Sequence, residues 1–272
     1  MKEKKWIVDT TLRDGEQRAG IVFNAEDKIR IALKLDEIHV GEIEAGILGS
    51  KAEQRDYIEE IMRRREYAKI SIWSRAIKED ILGMNTKCPD IIHIGTPVSY
   101  AQIYSRLRKN KVWFRKNLCE CVDAALTKGA SVTVGFEDAS RADVGFLINT
   151  AIMLKNLGVD TIRIADTVGV LTPERTRRII EEISSQTDID LEIHVHNDLG
   201  MAVANSIVAA AAGVRYIDCT LAGIGERGGN CNFYQFLKAA EGCFDFGIDK
   251  NKVLSLEKEV LDLLENNSKG SR

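Results

Sequence analysis

The amino-acid sequence predicts an α/β fold of the (β/α)8 TIM-barrel class. Short apolar runs of strand length recur along the chain, and amphipathic segments of helix length separate them. Eight such units fit into about 250 residues, which is the usual size of this barrel. The alternative is an open doubly wound sheet, but the first strand runs into "TLRDGEQ" rather than a glycine-rich phosphate-binding turn.

Each element has its own signal in the sequence. The eight predicted strands cover residues 6–12, 41–46, 68–73, 90–95, 131–136, 160–165, 191–196 and 215–220. Helices are predicted to begin after Asn24, after Thr172 with Pro173 in the first turn, and after Asp249, because these residues cap helix N-termini. We expect the barrel domain to span residues 1–250, and a C-terminal helix with a frayed polar tail to span 251–272.

The composition of the chain excludes several classes of protein. A chain of 272 residues with 44% hydrophobic content can bury a large core, so it needs neither disulfides nor a metal in order to fold. The net charge of −3, with Lys and Arg spread along the chain, favours small-molecule substrates and argues against nucleic acid. The six cysteines lack paired CxxC spacing, and no run is long and apolar enough for a membrane span. We therefore expect a cytoplasmic protein without a membrane partner.

Two of the four histidines lie two residues apart in "LEIHVHNDLG". Because side chains alternate along a strand, His194 and His196 point to the same side at the carboxyl end of the seventh strand, where barrel active sites lie. A divalent metal would accept both lone pairs, although hydrogen-bonded structural histidines remain an alternative. Asp14 follows the first strand, which barrel closure brings near, so it can complete a set of two histidines and one carboxylate.

Two loops on the same rim are rich in polar residues. The loop "GIGERGGN" contains four glycines, which let backbone approach a ligand closely, although a flexible turn is the alternative. The loop "GFEDASRAD" places Glu137 and Asp138 at the rim, with Ser140 as a predicted helix cap. We therefore expect the active site to be built from the loops after strands 1, 5, 7 and 8.

These motifs together resemble one family, the metal-dependent Claisen-type acyltransferases and lyases that include isopropylmalate synthase, homocitrate synthase and hydroxymethylglutaryl-CoA lyase. The segments "DTTLRDGEQ", "EDASRAD", "IADTVG", "HVHND" and "GIGERGGN" occur in the family's order, over about residues 6–245. Within the family, "FEDASRAD" followed by "IADTVGV" is most similar to the homocitrate synthases of nitrogen-fixing bacteria. The resemblance implies a metal-assisted condensation of acetyl-CoA with 2-oxoglutarate to give homocitrate and CoA.

The resemblance also implies roles for single residues. The metal, which is Mg²⁺, Mn²⁺ or Zn²⁺, would have as ligands Asp14, His194 and His196, with Asn230 at or next to it. Arg13 would polarise the 2-oxo group, and Thr167 would hold the carboxylate of the 2-oxoacid. Glu44 and the catalytic Glu137 would organise Arg13 and the acetyl group. His93 matches a substrate-site histidine of isopropylmalate synthases, with a satisfied interior histidine as the alternative.

The chain departs from the family pattern at two places. Ile103 occupies the position where lysine-pathway homocitrate synthases carry an arginine, so Arg75 becomes our candidate for the distal carboxylate of 2-oxoglutarate. The linker that carries a further catalytic histidine in full-length relatives does not follow the barrel, which predicts that another protomer or a second subunit supplies it.

Other functions remain open at this point. A related synthase that forms isopropylmalate, citramalate or citrate is one alternative, and a non-catalytic barrel that scaffolds a partner subunit is another. A lyase is disfavoured, because Ile224 replaces the cysteine that lyases carry after strand 8.

Overall fold

Eight parallel strands close into a barrel in the order of the chain, with the first strand pairing to the eighth. The structure is a computed structural model that describes residues 2–49, 52–84 and 87–270. Its barrel strands are β1 Trp6–Asp9, β2 Glu42–Ile47, β3 Lys69–Arg75, β4 Ile91–Pro97, β5 Ser131–Glu137, β6 Thr161–Asp166, β7 Asp190–Val195 and β8 Tyr216–Cys219. The predicted TIM barrel is confirmed.

The largest difference from the predicted strands is at the first one, which ends at Asp9 rather than at residue 12. The backbone N–H groups of Arg13, Asp14 and Gly15 all donate to the carbonyl of Thr10 and fold the chain into a tight turn. This turn stops strand pairing and holds Arg13 and Asp14 at the carboxyl end of the barrel.

Helices follow the strands around the outside of the barrel. They are α1 Ala25–Glu37, α2 Ala52–Arg64, α3 Lys78–Leu82, α4 Lys111–Thr127, α5 Val144–Asn156, α6 Pro173–Ser184, α7 Ala202–Ala211, α8 Phe233–Ala240 and α9 Lys250–Gly270. The caps predicted at Asn24 and Thr172 are confirmed, since their side chains accept hydrogen bonds from the N–H groups three residues later. The prediction for Ser140 was wrong, because Asp143 caps α5 and the Ser140 Oγ has no hydrogen-bond partner among the residues described.

The last helix packs against the barrel. Val253, Leu256 and Val260 are buried in the main hydrophobic core, and the Glu257 carboxylate accepts a hydrogen bond from the Tyr234 N–H in α8. The helix runs to Gly270, residues 271 and 272 lie outside the described residues, and the frayed polar tail stays a prediction. Apolar positions on one side of this helix therefore continue the core of the barrel.

The two sides of the barrel strands differ in polarity. Side chains that face the helices are aliphatic and buried, among them Ile43, Ile70, Ile92, Val134, Ile162 and Ile193. Alternate positions face the interior of the barrel and carry charge, among them Glu42, Glu44, Arg163, Glu192 and Asp218. A charged interior requires partners for each group, and these partners connect the interior to the carboxyl end of the barrel.

None of the helices in the described part of the chain combines the length and the apolar character needed to cross a membrane.

Candidate active site

Asp14, His194 and His196 come together at the carboxyl end of the barrel. Asp14 Oδ2 lies 3.6 Å from His194 Nε2 and 3.5 Å from His196 Nε2, and all three side chains are buried. Neighbouring ligands of one divalent ion are about 3 to 3.5 Å apart when each metal–ligand bond is about 2.1 Å long. The group therefore has the composition and the spacing of a metal site with two imidazoles and one carboxylate.

The hydrogen bonds of the two histidines direct a lone pair into this group. His194 Nδ1 lies 2.8 Å from Asp218 Oδ2, and His196 Nδ1 lies 3.1 Å from the carbonyl oxygen of Asp166. Since a carboxylate and a carbonyl accept hydrogen bonds, each Nδ1 carries the proton and each Nε2 is left as an acceptor. His196 Nε2 is buried and has no hydrogen-bond partner within the described ranges of the chain, so a metal ion fits the residues present.

Asp14 is held in its charged form. Burial alone would favour the protonated carboxyl, but the Arg13 guanidinium and His194 hold its pKa well below the usual range. Asn230 Nδ2 donates to Asp14 Oδ2 over 2.7 Å, while Asn230 Oδ1 is buried and has no partner in the part of the chain that the structure describes. Asn230 thus lies beside the predicted ligands, and its free oxygen is a further candidate donor to a metal.

Arg13 connects this group to the interior of the barrel. Its Nη1 donates to Asp14 Oδ1 over 2.6 Å and its Nε donates to Glu44 Oε2 over 2.5 Å. Its Nη2 has no partner among the described residues. The guanidinium is therefore fixed in orientation on two sides and keeps one N–H₂ group free for a ligand.

The contacts of Arg13 and of His194 belong to one closed ring of side chains inside the barrel. Glu44 also accepts from Arg163 over 3.0 Å, and Arg163 lies 3.1 Å from Asp218, the partner of His194. The ring consists of Arg13, Glu44, Arg163, Asp218, His194 and Asp14. Because each member orients the next, a change in the interior reaches the predicted metal ligands.

Glu137 ends β5, and Thr167 follows β6, the strand next to the one that carries the two histidines. Burial raises the pKa of Glu137, although the charges of Arg106 and Arg13 oppose this shift. Asp138 has a φ of 61° and is held by Ser99 and Arg141, so it fixes the turn that presents Glu137. Thr167 Oγ1 accepts a hydrogen bond from the Asp138 N–H over 2.8 Å, which leaves its hydroxyl proton free to bind a carboxylate.

His93 and Arg75 have partners other than the metal group. His93 Nδ1 lies 2.7 Å from Thr133 Oγ1, and burial with the charges of Arg163 and Arg13 holds its pKa well below the usual range. It is a neutral histidine beneath the barrel mouth. Arg75 has a side chain that is 68% exposed and lies 3.4 Å from Asp80, so its charge is at the outer rim.

The glycine-rich loop after β8 contacts the segments that follow β6 and β7. A β-carbon at Gly225 would lie 2.2 Å from Nδ2 of Asn230, so any larger residue there would displace the Asn230 amide. Arg227 in the same loop donates to Asp198 over 2.9 Å and to the Thr167 carbonyl over 2.8 Å. The loop thus links the segments after β6, β7 and β8 around Asn230.

Several residues that face the barrel interior were not predicted from the sequence. Arg163, Glu192, Asp218 and Glu42 all face into the barrel, and Trp73 lies above them at the level of Arg13. The signal was present, because a charge alternates with aliphatic residues in "GEIEAG", "DTIRIA", "LEIHVH" and "RYIDCT". Charged side chains with a period of two mark the inward face of a polar barrel interior.

Comparisons with known proteins show the family and the fold of the chain. The family model described as HMGL-like matches residues 4–260. The chain is 43% identical to the homocitrate synthase subunit alpha of Clostridium pasteurianum, covering 95% of this chain and 97% of that protein. It is 37% identical to 2-isopropylmalate synthase 2 of Caldanaerobacter subterraneus subsp. tengcongensis, covering 94% of this chain and 67% of that protein. The solved HMG-CoA lyase of Brucella melitensis has the same fold, with a TM-score of 0.83 at 20% identity, covering 97% of this chain and 99% of that one.

Proposed function

Because the chain belongs to the HMGL-like family, we propose that it condenses acetyl-CoA with 2-oxoglutarate to give homocitrate and CoA. It is an enzyme of the acyltransferase and synthase type. One observation carries the proposal. The buried group of Asp14, His194 and His196 lies against Arg13, whose Nη2 is free to bind the oxygen of a keto group.

The residues around this group have the functions that a condensation needs. A divalent ion bound there supplies Lewis-acid stabilisation of the negative charge that develops on the keto oxygen. Arg13 Nη2 donates to the same oxygen, and its orientation is fixed by Glu44 and Asp14 before the substrate arrives. Thr167 donates its hydroxyl proton to the carboxylate next to the keto group.

The methyl carbon of acetyl-CoA loses a proton and forms a bond to the keto carbon, and the keto oxygen gains a proton. Water then cleaves the thioester C–S bond, which releases CoA and draws the reaction forward. In this proposal Glu137 holds the acetyl group and moves its proton, since burial raises the pKa of its carboxyl group and makes the carboxylate a stronger base.

We further propose that the active enzyme contains a second polypeptide. A relative named subunit alpha is matched over 97% of its length, whereas the single-name synthase is matched over 67%. In this arrangement, the barrel binds the 2-oxoacid and the other subunit contributes a histidine over the site and excludes water. A homo-oligomer in which a second copy closes the site is the alternative.

Release of CoA from acetyl-CoA tests the proposal directly. The purified chain is incubated with Mg²⁺, Mn²⁺ or Zn²⁺ and with a panel of 2-oxoacids, alone and together with the product of the neighbouring gene. We expect metal-dependent release that requires 2-oxoglutarate and that rises when the second polypeptide is present. Release with 2-oxoisovalerate or pyruvate instead would support a related synthase. Binding without release under every condition would support a scaffolding barrel.

A further inference from the structure

Glu257 is a buried carboxylate on α9, a helix that the proposed chemistry does not use. It lies on the inner side of this helix with Val253 and Val260, and only 6% of the residue is exposed. Its Oε1 lies 3.1 Å from the backbone nitrogen of Tyr234 in the first turn of α8 and accepts a hydrogen bond from it. Because a buried carboxylate is costly unless it is hydrogen-bonded, this contact fixes α9 to the start of α8.

The same carboxylate also acts on the short turn Leu221–Gly223, which follows β8. Burial raises the pKa of Glu257, and hydrogen bonds from the backbone N–H groups of Tyr234 and Ala222 oppose this rise. Ala222 has a φ of 55°, a left-handed conformation that is unfavourable for a residue with a β-carbon. Such a conformation persists only where the surrounding structure holds it, and Glu257 is one of the groups that hold it.

A second contact holds this turn from the segment after β1. The Leu221 N–H donates to Thr11 Oγ1 over 2.9 Å, and Thr11 Oγ1 donates to Asp9 Oδ2 over 3.1 Å. Thr11 lies in the tight turn that also contains Asp14. The turn after β8 is therefore held both by α9 and by the segment that carries a predicted metal ligand.

The turn continues directly into the metal group. The Gly223 carbonyl accepts the backbone N–H of Asn230 over 3.0 Å, and the Ile224 carbonyl accepts from Asn230 Nδ2 over 3.0 Å. The same Nδ2 donates to Asp14 Oδ2 over 2.7 Å. Because both carbonyls follow Ala222 directly in the chain, a shift of Ala222 moves the amide that holds Asp14.

We propose that Glu257 is a positioning residue of the metal site, and that it acts through Asn230. Its carboxylate holds the left-handed turn at Ala222, the turn holds the Asn230 amide, and the amide holds Asp14 in the orientation that binds the ion. This inference rests on the proposed function, since it assumes that Asp14 is a metal ligand. Glu257 takes no part in the bond changes.

Metal affinity tests this role, and it is measured by competition between the protein and a chelator for Mn²⁺. Glu257→Ala should weaken Mn²⁺ binding by about 10-fold, the lower end of the range for residues that orient metal ligands, because the Asn230 amide is no longer held. Glu257→Gln should stay within about 2-fold of the wild-type chain, since its amide oxygen still accepts the backbone N–H groups. Glu257→Met keeps the buried volume without the acceptor and gives the same comparison if Glu257→Ala does not fold.

Two controls separate positioning from a loss of stability. Val260→Ala removes buried apolar contacts of the same helix, so it should lower the urea midpoint of unfolding but leave Mn²⁺ affinity within about 2-fold. Glu259→Ala changes a residue that is half exposed and pairs with Lys34, and it should alter neither quantity.

A double variant tests the route through Asn230. Asn230→Ala alone should weaken Mn²⁺ binding, and adding Glu257→Ala should weaken it no further, because both changes act on the same contact. A loss in the double variant equal to the sum of the two single losses would exclude this route and overturn the inference.

Two further results would overturn the inference while the wild-type chain still binds Mn²⁺ and the proposed function stands. Unchanged Mn²⁺ affinity in Glu257→Ala would show that the site does not depend on Glu257. Equal losses of affinity in Glu257→Ala and Val260→Ala would indicate a merely structural role. A wild-type chain that binds no Mn²⁺ would remove the proposed function as well.

Discussion

Asp218 lies directly behind His194, with 2.8 Å between its Oδ2 and the imidazole Nδ1. This contact fixes the tautomer in which His194 Nε2 faces Asp14 and is free to bind a metal. Asp218 is in turn 3.1 Å from Arg163, which connects the histidine to the charged interior of the barrel. The predicted ligand is thus oriented by a residue on the neighbouring strand.

Replacing Asp218 with Asn should lower the affinity for the divalent metal by about 10- to 100-fold, because an amide orients the imidazole less strongly and removes the negative charge behind it. The measurement is competition between the protein and a chelator for Mn²⁺ or Zn²⁺. Asp190→Asn at the opposite end of the barrel is the matched control, since Asp190 pairs with Arg215 at the surface. An affinity unchanged by Asp218→Asn would contradict the orienting role.

Replacing His194 with Ala should abolish bound metal and activity while the fold persists. A barrel of this size is held by its hydrophobic core and does not need an ion to close. Elemental analysis measures the metal, and circular dichroism measures the fold. His39→Asn is the control, because His39 is exposed and asparagine tolerates its φ of 64°. Full metal occupancy in His194→Ala would show that the ligand set is wrong.

Arg13→Lys should lower kcat by a factor on the order of 10², since a lysine cannot reproduce the fixed fork that donates to the oxyanion. The rate of CoA release is measured in whichever assembly turns over, and thermal unfolding checks the fold. Arg215→Lys at the other end of the barrel is the control. An unchanged kcat would place Arg13 outside the reaction.

The sequence predicted the barrel because apolar runs of strand length recur eight times. It predicted that the active site lies at the carboxyl end of the barrel because the polar motifs follow the ends of strands. It did not predict that the first strand ends at Asp9. The strand ends there because the Thr10 carbonyl accepts three backbone hydrogen bonds in a turn, and no residue type in this segment indicates that turn. The ring from Arg13 to Asp14 through Arg163 brings together residues that are far apart in the sequence, such as Asp14 and His194, which are 180 positions apart. Such contacts depend on strand register, which sequence patterns alone do not give.

Glu42 provides a test that depends on pH. Burial raises its pKa to about 8, well above the ordinary value of about 4.3 for glutamate. The folded state therefore keeps the proton while the unfolded state loses it, and the free energy of unfolding falls as pH rises between these two values, by up to about 1.4 kcal/mol per pH unit.

Glu42→Gln should remove this contribution. The variant should gain on the order of 2 kcal/mol over the wild-type chain between pH 5.5 and pH 7.5, as measured by urea unfolding at both values. Glu37→Gln is the control, because Glu37 is exposed on α1. An equal pH dependence in Glu42→Gln and the wild-type chain would show that Glu42 ionises normally.

Calorimetric titration of 2-oxoglutarate into the purified chain tests the central claim most directly. Asp14, His194, His196 and Thr167 lie in this one chain, so binding should not require a second polypeptide. We expect saturable binding in the presence of Mg²⁺, Mn²⁺ or Zn²⁺, and loss of that binding after chelation or in His194→Ala. Binding of equal strength without metal, or no binding with any of the three ions, would contradict the account.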